Sequence, residues 1–345
     1  MFMYVSMVIS ESLVARTFGS YLLQIVDLEP LSFWVPAFGV ALLAVAFAVN
    51  IAGNCTLQAS EGVMAAVKVG GLAVFAVAGL WFADLANFSG GSPAGEGSSW
   101  GFLAAVALAI LAFKGFTTIT NSGGEIVDPL RNAGRAIIIS IAISAALYLA
   151  IAVTVAGNLT LPEIVAAQDF ALAEAARPAF GDAGIWFTVV LAMIATASGV
   201  MASVFAASRM LAMLTRMKEV PHRHFGLRGS LRTHAMVYTI AFAMVLTVLF
   251  DLRRIAALGA IFYLIMDIAI HWGLLRHLRS RVAVKPAVVG TALVLDVVVL
   301  AALVWVKGSQ DFLVLVVSGL GIAAIVVGER VFMWSHTNAD GNMDM

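Results

Sequence analysis

The stretch LAFKGFTTITNSGGEIVDPLRNAGRAI, residues 111–137, opens as an apolar run and then sets Lys114, paired threonines, Asn121 and two glycines where aliphatic residues would be expected to continue. Groups of this kind handle ions and small solutes inside membranes. Backbone carbonyls freed by a broken helix coordinate cations, half-helix ends carry partial charge, and a lysine supplies a fixed cation or a proton. Counting about 1.5 Å per residue from Gly101, the run reaches mid-bilayer near Phe113. An interruption at that depth is tolerated only where it lines a cavity or is covered by protein. The alternative is a helix that ends near Phe116 and leaves the membrane as a polar loop. Spacing favours the interruption, so residues 101 to 133 are expected to form a helix that loses regular hydrogen bonding between Phe113 and Thr117.

Other ionisable residues lie in apolar runs, where a charge costs about 2.5–3.5 kcal/mol on insertion scales and is a functional candidate by default. Lys68 either exchanges protons from a covered position or snorkels to the membrane surface from near its helix start. Lys114 is either a fixed cation beside a substrate or one half of a structural pair with an acid on a neighbouring helix. Glu11 and Arg16 are expected to neutralise each other or a neighbour. Asp267 and His271, four apart, share a helix face and form either a proton relay or a structural polar pair, with Asp296 on a peripheral span. Thr196 and Ser198 offer hydroxyls to an ion site or serve close helix packing. His222 and His224 have no third ligand placed near them, which reads as a solvated loop and no metal site.

The elements that must position these residues are membrane helices. The chain has 345 residues, 62% of them hydrophobic and 12% charged, where soluble domains carry about 25% charged residues. Mean hydropathy is +1.00. Runs near the roughly 20 residues needed to cross a bilayer recur at 3–25, 33–53, 63–83, 101–120, 136–157, 184–207, 234–250, 255–275, 287–306 and 311–333. The fold class is therefore an all-α polytopic membrane protein of about ten transmembrane helices. Zero net charge and the lack of a basic tail argue against a nucleic-acid partner, and the single Cys55 excludes an internal disulfide and a cysteine metal cluster. No phosphate-binding loop motif occurs, and no cofactor is implied.

Basic residues concentrate in alternate loops, at Arg131 and Arg135, at Arg216, Lys218, Arg223, Arg228 and Arg232, and at Arg276, Arg279, Arg281 and Lys285. The opposite loops carry acids such as Asp27, Glu29, Glu163, Asp169, Glu174 and Asp182. The positive-inside rule then places both termini in the cytoplasm of a multi-pass cell-membrane protein. Glu11 and Arg16 interrupt the first run, which lacks the order and the cleavage site of a signal peptide.

The stretch AFKGFTTITNSGGEIVDPLRNAGRAI resembles the sixth helix and following loop of amino acid-polyamine-organocation permeases. ASGVMASVFAASRMLAMLTRMKEVPHRHFG, with Arg209, Met213 and Pro221, resembles the eighth helix and its exit, and AAVKVGG at 65–71 fits the lysine-bearing fifth helix of many members. The resemblance implies a five-plus-five inverted repeat within one permease domain over 1–345. On that scheme 1–83 is the remainder of the first repeat and 101–275 the second, 287–333 are two peripheral helices and 334–345 a cytoplasmic tail. Aligned this way, Met1 falls at the start of the family's third helix, so a partial fold is expected, without the first two helices and their glycine-rich carboxylate site. The resemblance also implies substrate contacts at Phe113, Lys114, Gly115, Phe116 and Thr117, the last standing where the family has a glutamate. It implies a proton-coupling site at Lys68 with Ser198, because an ammonium replaces sodium there in many proton-coupled members.

Two functions are compatible with these readings. One is proton-coupled secondary transport of an amino acid or related amine-containing solute by alternating access. The other is a truncated, non-transporting permease remnant or membrane partner protein. An enzyme is not expected, since no nucleophile stands beside a base.

Overall fold

In hydrocarbon each backbone N–H and C=O must be satisfied within its own segment, and the apolar runs accordingly fold as helices. A computed structural model describes residues 1–26, 33–52, 55–84, 98–115, 119, 126–217, 219–220, 230–278 and 285–340, apart from the side chains of 55–61, 130 and 333–340. The long helices are α1 (Phe2–Leu23), α2 (Trp34–Ala52), α3 (Cys55–Phe82), α4 (Ser99–Leu111), α5 (Pro129–Asn158), α8 (Asp182–Arg216), α9 (Leu231–Leu249), α10 (Leu252–Gly273), α11 (Pro286–Gln310) and α12 (Phe312–Asp340). Each of the ten expected spans has its helix. Helix α4 is shorter than expected, α5 starts earlier, α8 runs on to Arg216, and α12 continues through residues expected to form the tail.

Two further helices, α6 (Leu161–Ala167) and α7 (Ala171–Phe180), fill the stretch read as a loop between the fifth and sixth spans, joined by a 3-10 turn at Gln168–Phe170. A local signal for them was present. Thr160 and Glu163 form a capping box in which the Glu163 carboxylate accepts from the Thr160 amide and hydroxyl, both at 2.7 Å. Those bonds hold the Glu163 carboxyl below its ordinary range. Gly181, at φ 59°, then turns the chain from α7 into α8.

Eight of the helices are long and apolar enough to cross a membrane, α4 is a shorter apolar helix, and α1 is the polar exception. Helix α1 packs against α2, α8, α9 and α10. It buries Tyr4, Ser6, Glu11 and Ser12 along with its apolar residues. By contrast α5, with a mean hydropathy of 2.6 over its best window, buries none of that window and packs on α3 and α7 alone among the long contacts. Polarity and burial run in the direction opposite to that of a soluble protein. Here protein is the polar solvent and lipid the apolar one.

Close approach of α1 and α2 depends on small residues. A Cβ on Gly19 would lie 2.2 Å from the carbonyl oxygen of Val35, and one on Gly39 would lie 2.9 Å from that of Ala15. Neither clash is with a flexible side chain, so backbone has to shift. Gly19→Ala should therefore destabilise the bundle by about 1–3 kcal/mol, the usual cost of overpacking. Thermal unfolding in detergent checks this, with Gly70→Ala, where a Cβ meets nothing within 4 Å, as the unaffected control.

Candidate functional site

Helix α4 ends inside the bundle. Beyond Leu111 the amides of Ala112, Phe113 and Lys114 bond to the carbonyls of Ala109, Ile110 and Leu111, three successive bonds of the tighter three-residue kind. The expected loss of regular helix thus begins at Ala112 and includes Phe113 to Gly115, while Phe116, Thr117 and Asn121 lie outside the described residues. The freed Ala112 carbonyl accepts from the Tyr148 hydroxyl of α5 at 3.3 Å. Phe113 meets the same tyrosine edge-on, with ring centroids 5.2 Å apart. Gly115 is exposed, in open space.

Tightening the turn swings Lys114 inward, where it is 8% exposed. Its ammonium donates to the Ser6 carbonyl and, at 2.8 Å, to the Ser10 hydroxyl, both on α1. It also stands 6.0 Å from the centre of the Tyr263 ring of α10. Glu11, one residue beyond Ser10, is fully buried, and among the described residues neither carboxylate oxygen has a hydrogen-bond partner. The Lys114 and Glu11 charges act on one another. An amino group and a carboxyl group are thus held within electrostatic range of one another among the packed helices, the lysine just past the end of α4 and the glutamate on α1.

The expected neutralisation of Glu11 by Arg16 does not occur. Five residues apart, the two point to different sides of α1. Arg16 instead donates to the carbonyls of Thr247 at 2.8 Å and Phe250 at 2.6 Å, closing the C-terminal end of α9. Lys114 is set against α1, where its ammonium meets Ser6 and Ser10 and lies within electrostatic range of Glu11. Glu11, Ser10 and Tyr263 were not expected at this site. Charge balance was the available signal, since Glu11 and Lys114 are intramembrane charges of opposite sign.

Lys68 lies on another flank, on α3, whereas Ser198 is on α8, a neighbour of α1. Helix α3 packs on α5, α7 and α8, whereas Lys114 faces α1 and α10. Lys68 is half-buried, and Ser198 is buried with its hydroxyl donating to the Ala195 carbonyl of its own helix at 3.3 Å. Thr196 likewise donates to Ala192 at 2.7 Å. His271 pairs across α10 and α11 with Asp296, Nδ1 to Oδ2 2.9 Å, where Asp267 had been the expected partner. His222 and His224 lie outside the described residues. Among the described residues no three His, Cys, Asp or Glu side chains converge as metal ligands.

Cavities open at the rim of the bundle. One of about 570 Å³ is lined by Asn158, Glu163, Phe170, Glu174 and Arg177 where α5, α6 and α7 meet. A second, of about 260 Å³, lies between α1, α8 and α9 beside Tyr4, Thr215 and Tyr238. Neither is lined by Lys114 or Glu11.

Removing one member of a buried charge pair strands the other, at about 3–5 kcal/mol. Lys114→Met and Glu11→Gln should each lower stability in detergent by an amount of that order, and the double variant should cost less than the sum of the two. Equality with the sum in a double-mutant cycle would show that the charges are uncoupled.

Comparison with known proteins agrees with this architecture. The chain is 24% identical over 324 residues to the inner membrane transport protein YbaT of Escherichia coli, covering 93% of the chain and 74% of that protein. It is 26% identical over 271 residues to an uncharacterized protein of Methanocaldococcus jannaschii, covering 76% of the chain and 60% of that protein. An uncharacterized transporter of Mycobacterium tuberculosis is 26% identical over 283 residues, with 76% of the chain and 58% of that protein covered. The chain therefore spans about three fifths to three quarters of the length of these relatives. The many apolar helices and the buried polar centre at the end of α4 coincide with a match to the amino acid permease family over residues 1–328, and the chain belongs to that family.

Proposed function

We propose that the protein is a secondary transporter of an amino acid or related amine-containing solute, coupled to protons and working by alternating access. The observation that carries this reading is the pair of opposite charges at the α4 break. An amino acid carries a carboxylate and an ammonium, and Lys114 and Glu11 offer one counter-charge to each. Bound substrate would then give each of the two buried groups a counter-charge, which keeps the charge of the centre balanced while the helices rearrange. Phe113 and Gly115 line the break, and Phe116 and Thr117 are assigned to the same substrate contact by their place in the family motif.

Protons are the proposed coupling ion, and Lys68 with Ser198 the proposed coupling residues, because a lysine on α3 substitutes for a bound cation. The family match and the transport protein among the relatives support membrane transport over an enzymatic role. The loop charges support a cell-membrane location with both ends of the chain cytoplasmic.

The test is reconstitution into proteoliposomes with labelled alanine, glutamate and arginine, each alone, with and without an inward proton gradient. Gradient-driven uptake of one of them is expected, and uptake no greater than that of empty vesicles for all three would overturn the proposal. Lys68→Ala should abolish the gradient-driven component with insertion unchanged, and uptake that still follows the gradient removes Lys68 from coupling.

Specificity gives a second check. A fixed cation favours an acidic competitor and repels a basic one. In Lys114→Met the competition order should move away from glutamate toward alanine and arginine by about tenfold, or about 1.4 kcal/mol. The ranking of competitors is the readout, which partial loss of folded protein leaves unchanged.

A further inference from the structure

A second set of ionisable side chains lies on α10, apart from substrate contact. His271 and Asp296 bond at 2.9 Å across the α10–α11 interface. Asp267, one turn before His271, is within electrostatic reach of both. Tyr263, a further turn back, is within reach of both acids and holds its ring 6.0 Å from the Lys114 ammonium. Positions 263, 267 and 271 repeat every four residues and so form one stripe along the helix, with about 5–6 Å between successive Cβ atoms.

The stripe leads outward. Tyr263 is 2% exposed, Asp267 is half-buried and the His271 side chain is 26% exposed. Just past it, Leu274–Leu278 winds as a π-helix that carries Arg276 and His277. Such wide turns recur at functional sites. Packing alone does not call for these residue types, because a serine or asparagine bridges two membrane helices at lower cost than three ionisable groups do.

We infer that Tyr263, Asp267, His271 and Asp296 form a file that carries protons between the Lys114–Glu11 centre and the membrane surface at the Arg276 end of α10. The inference rests on the proton-coupled reading above and adds to it a route for the ion. With the Nδ1 proton donated to Asp296, the His271 Nε2 accepts a proton from outside, and Asp296 balances the imidazolium. The ring then releases one proton to the Asp267 carboxylate and returns to neutral. Asp267, now a carboxylic acid, gives its proton up toward the centre through the Tyr263 hydroxyl, which accepts one proton and releases its own. Each group ends in its starting state.

Among the described residues, the other charged groups on the elements packed against α10 are Glu11 and Arg16 on α1, Lys114 after α4, Lys307 with Asp296 on α11, and Glu329 and Arg330 on α12, with Glu329 held 3.0 Å from the amino group of Met1. Arg276 stands over the Trp272 ring, 6.0 Å from its centre. Glu11 and Lys114 form the inner end of the file.

The test uses Asp267→Asn, His271→Gln and Asp296→Asn in the same proteoliposomes, with whichever of alanine, glutamate and arginine the unaltered protein takes up. Two rates are measured over a range of pH: uptake driven by a proton gradient, and counterflow exchange at equal pH, which needs no net proton movement. The file predicts that gradient-driven uptake falls about 10²-fold, on the scale of losing one positioned proton-transfer group, while exchange persists and loses its pH dependence. Gradient-driven uptake that survives in all three variants overturns the file. A parallel fall of both rates also overturns it, by showing that the residues only hold α10 to α11. Failure of the unaltered protein to respond to a proton gradient overturns the coupled reading itself, a different outcome from either.

Discussion

Lys114 and Glu11 are both held almost entirely out of solvent, in an interior where an isolated charge costs several kcal/mol and a counter-charge, hydrogen-bond partners or loss of the charge itself must offset it. That constraint orders the structure around them. It requires α1, which carries Glu11 and the Ser6 and Ser10 acceptors, to lie within the bundle with α2, α8, α9 and α10 around it. It requires the chain after α4 to tighten and break, because a lysine one residue farther along a regular helix would point elsewhere. It also places Tyr263 of α10 where its ring faces the ammonium.

The same accounting explains how polarity is distributed among the helices. In water the apolar helix goes inside. In a bilayer the lipid already accepts apolar side chains, and what has to be covered is polar. Helix α1, with serines, Glu11 and Arg16, is therefore covered by its neighbours, whereas α5 presents Ile138, Ile139 and Leu149 outward. Small residues permit that coverage. Gly19 and Gly39 bring the α1 and α2 backbones close enough that a methyl group would meet a carbonyl.

Backbone groups released where helices stop are met by side chains from other helices. Tyr148 of α5 takes the Ala112 carbonyl at the α4 break, and Arg16 of α1 takes two carbonyls at the end of α9. Each contact joins elements far apart in the chain, so the irregular backbone that forms a site also ties the bundle together. Tyr148 thereby ties the end of α4 to α5, a helix whose most apolar stretch buries none of its residues.

Fold class was legible in the sequence, since ten apolar runs of bilayer length recur along it and backbone satisfaction in lipid leaves helix as the fold available to them. The loss of regular helix before Gly115 was legible too, from the polar and glycine residues that follow Leu111. Helix ends were less so. Helices α6 and α7 lie in a stretch whose composition matches a loop, and their existence follows from a capping box and from the cover that neighbouring helices provide. Partners of the charges could not be read at all. Lys114 meets Ser6 and Ser10, which stand 108 and 104 residues before it in the chain. His271 likewise passes over Asp267, four residues away, for Asp296 on the next helix. Spacing along one helix determines which side chains share a face, whereas the charge that a face meets is set by which other helix packs there, and only the tertiary structure decides that.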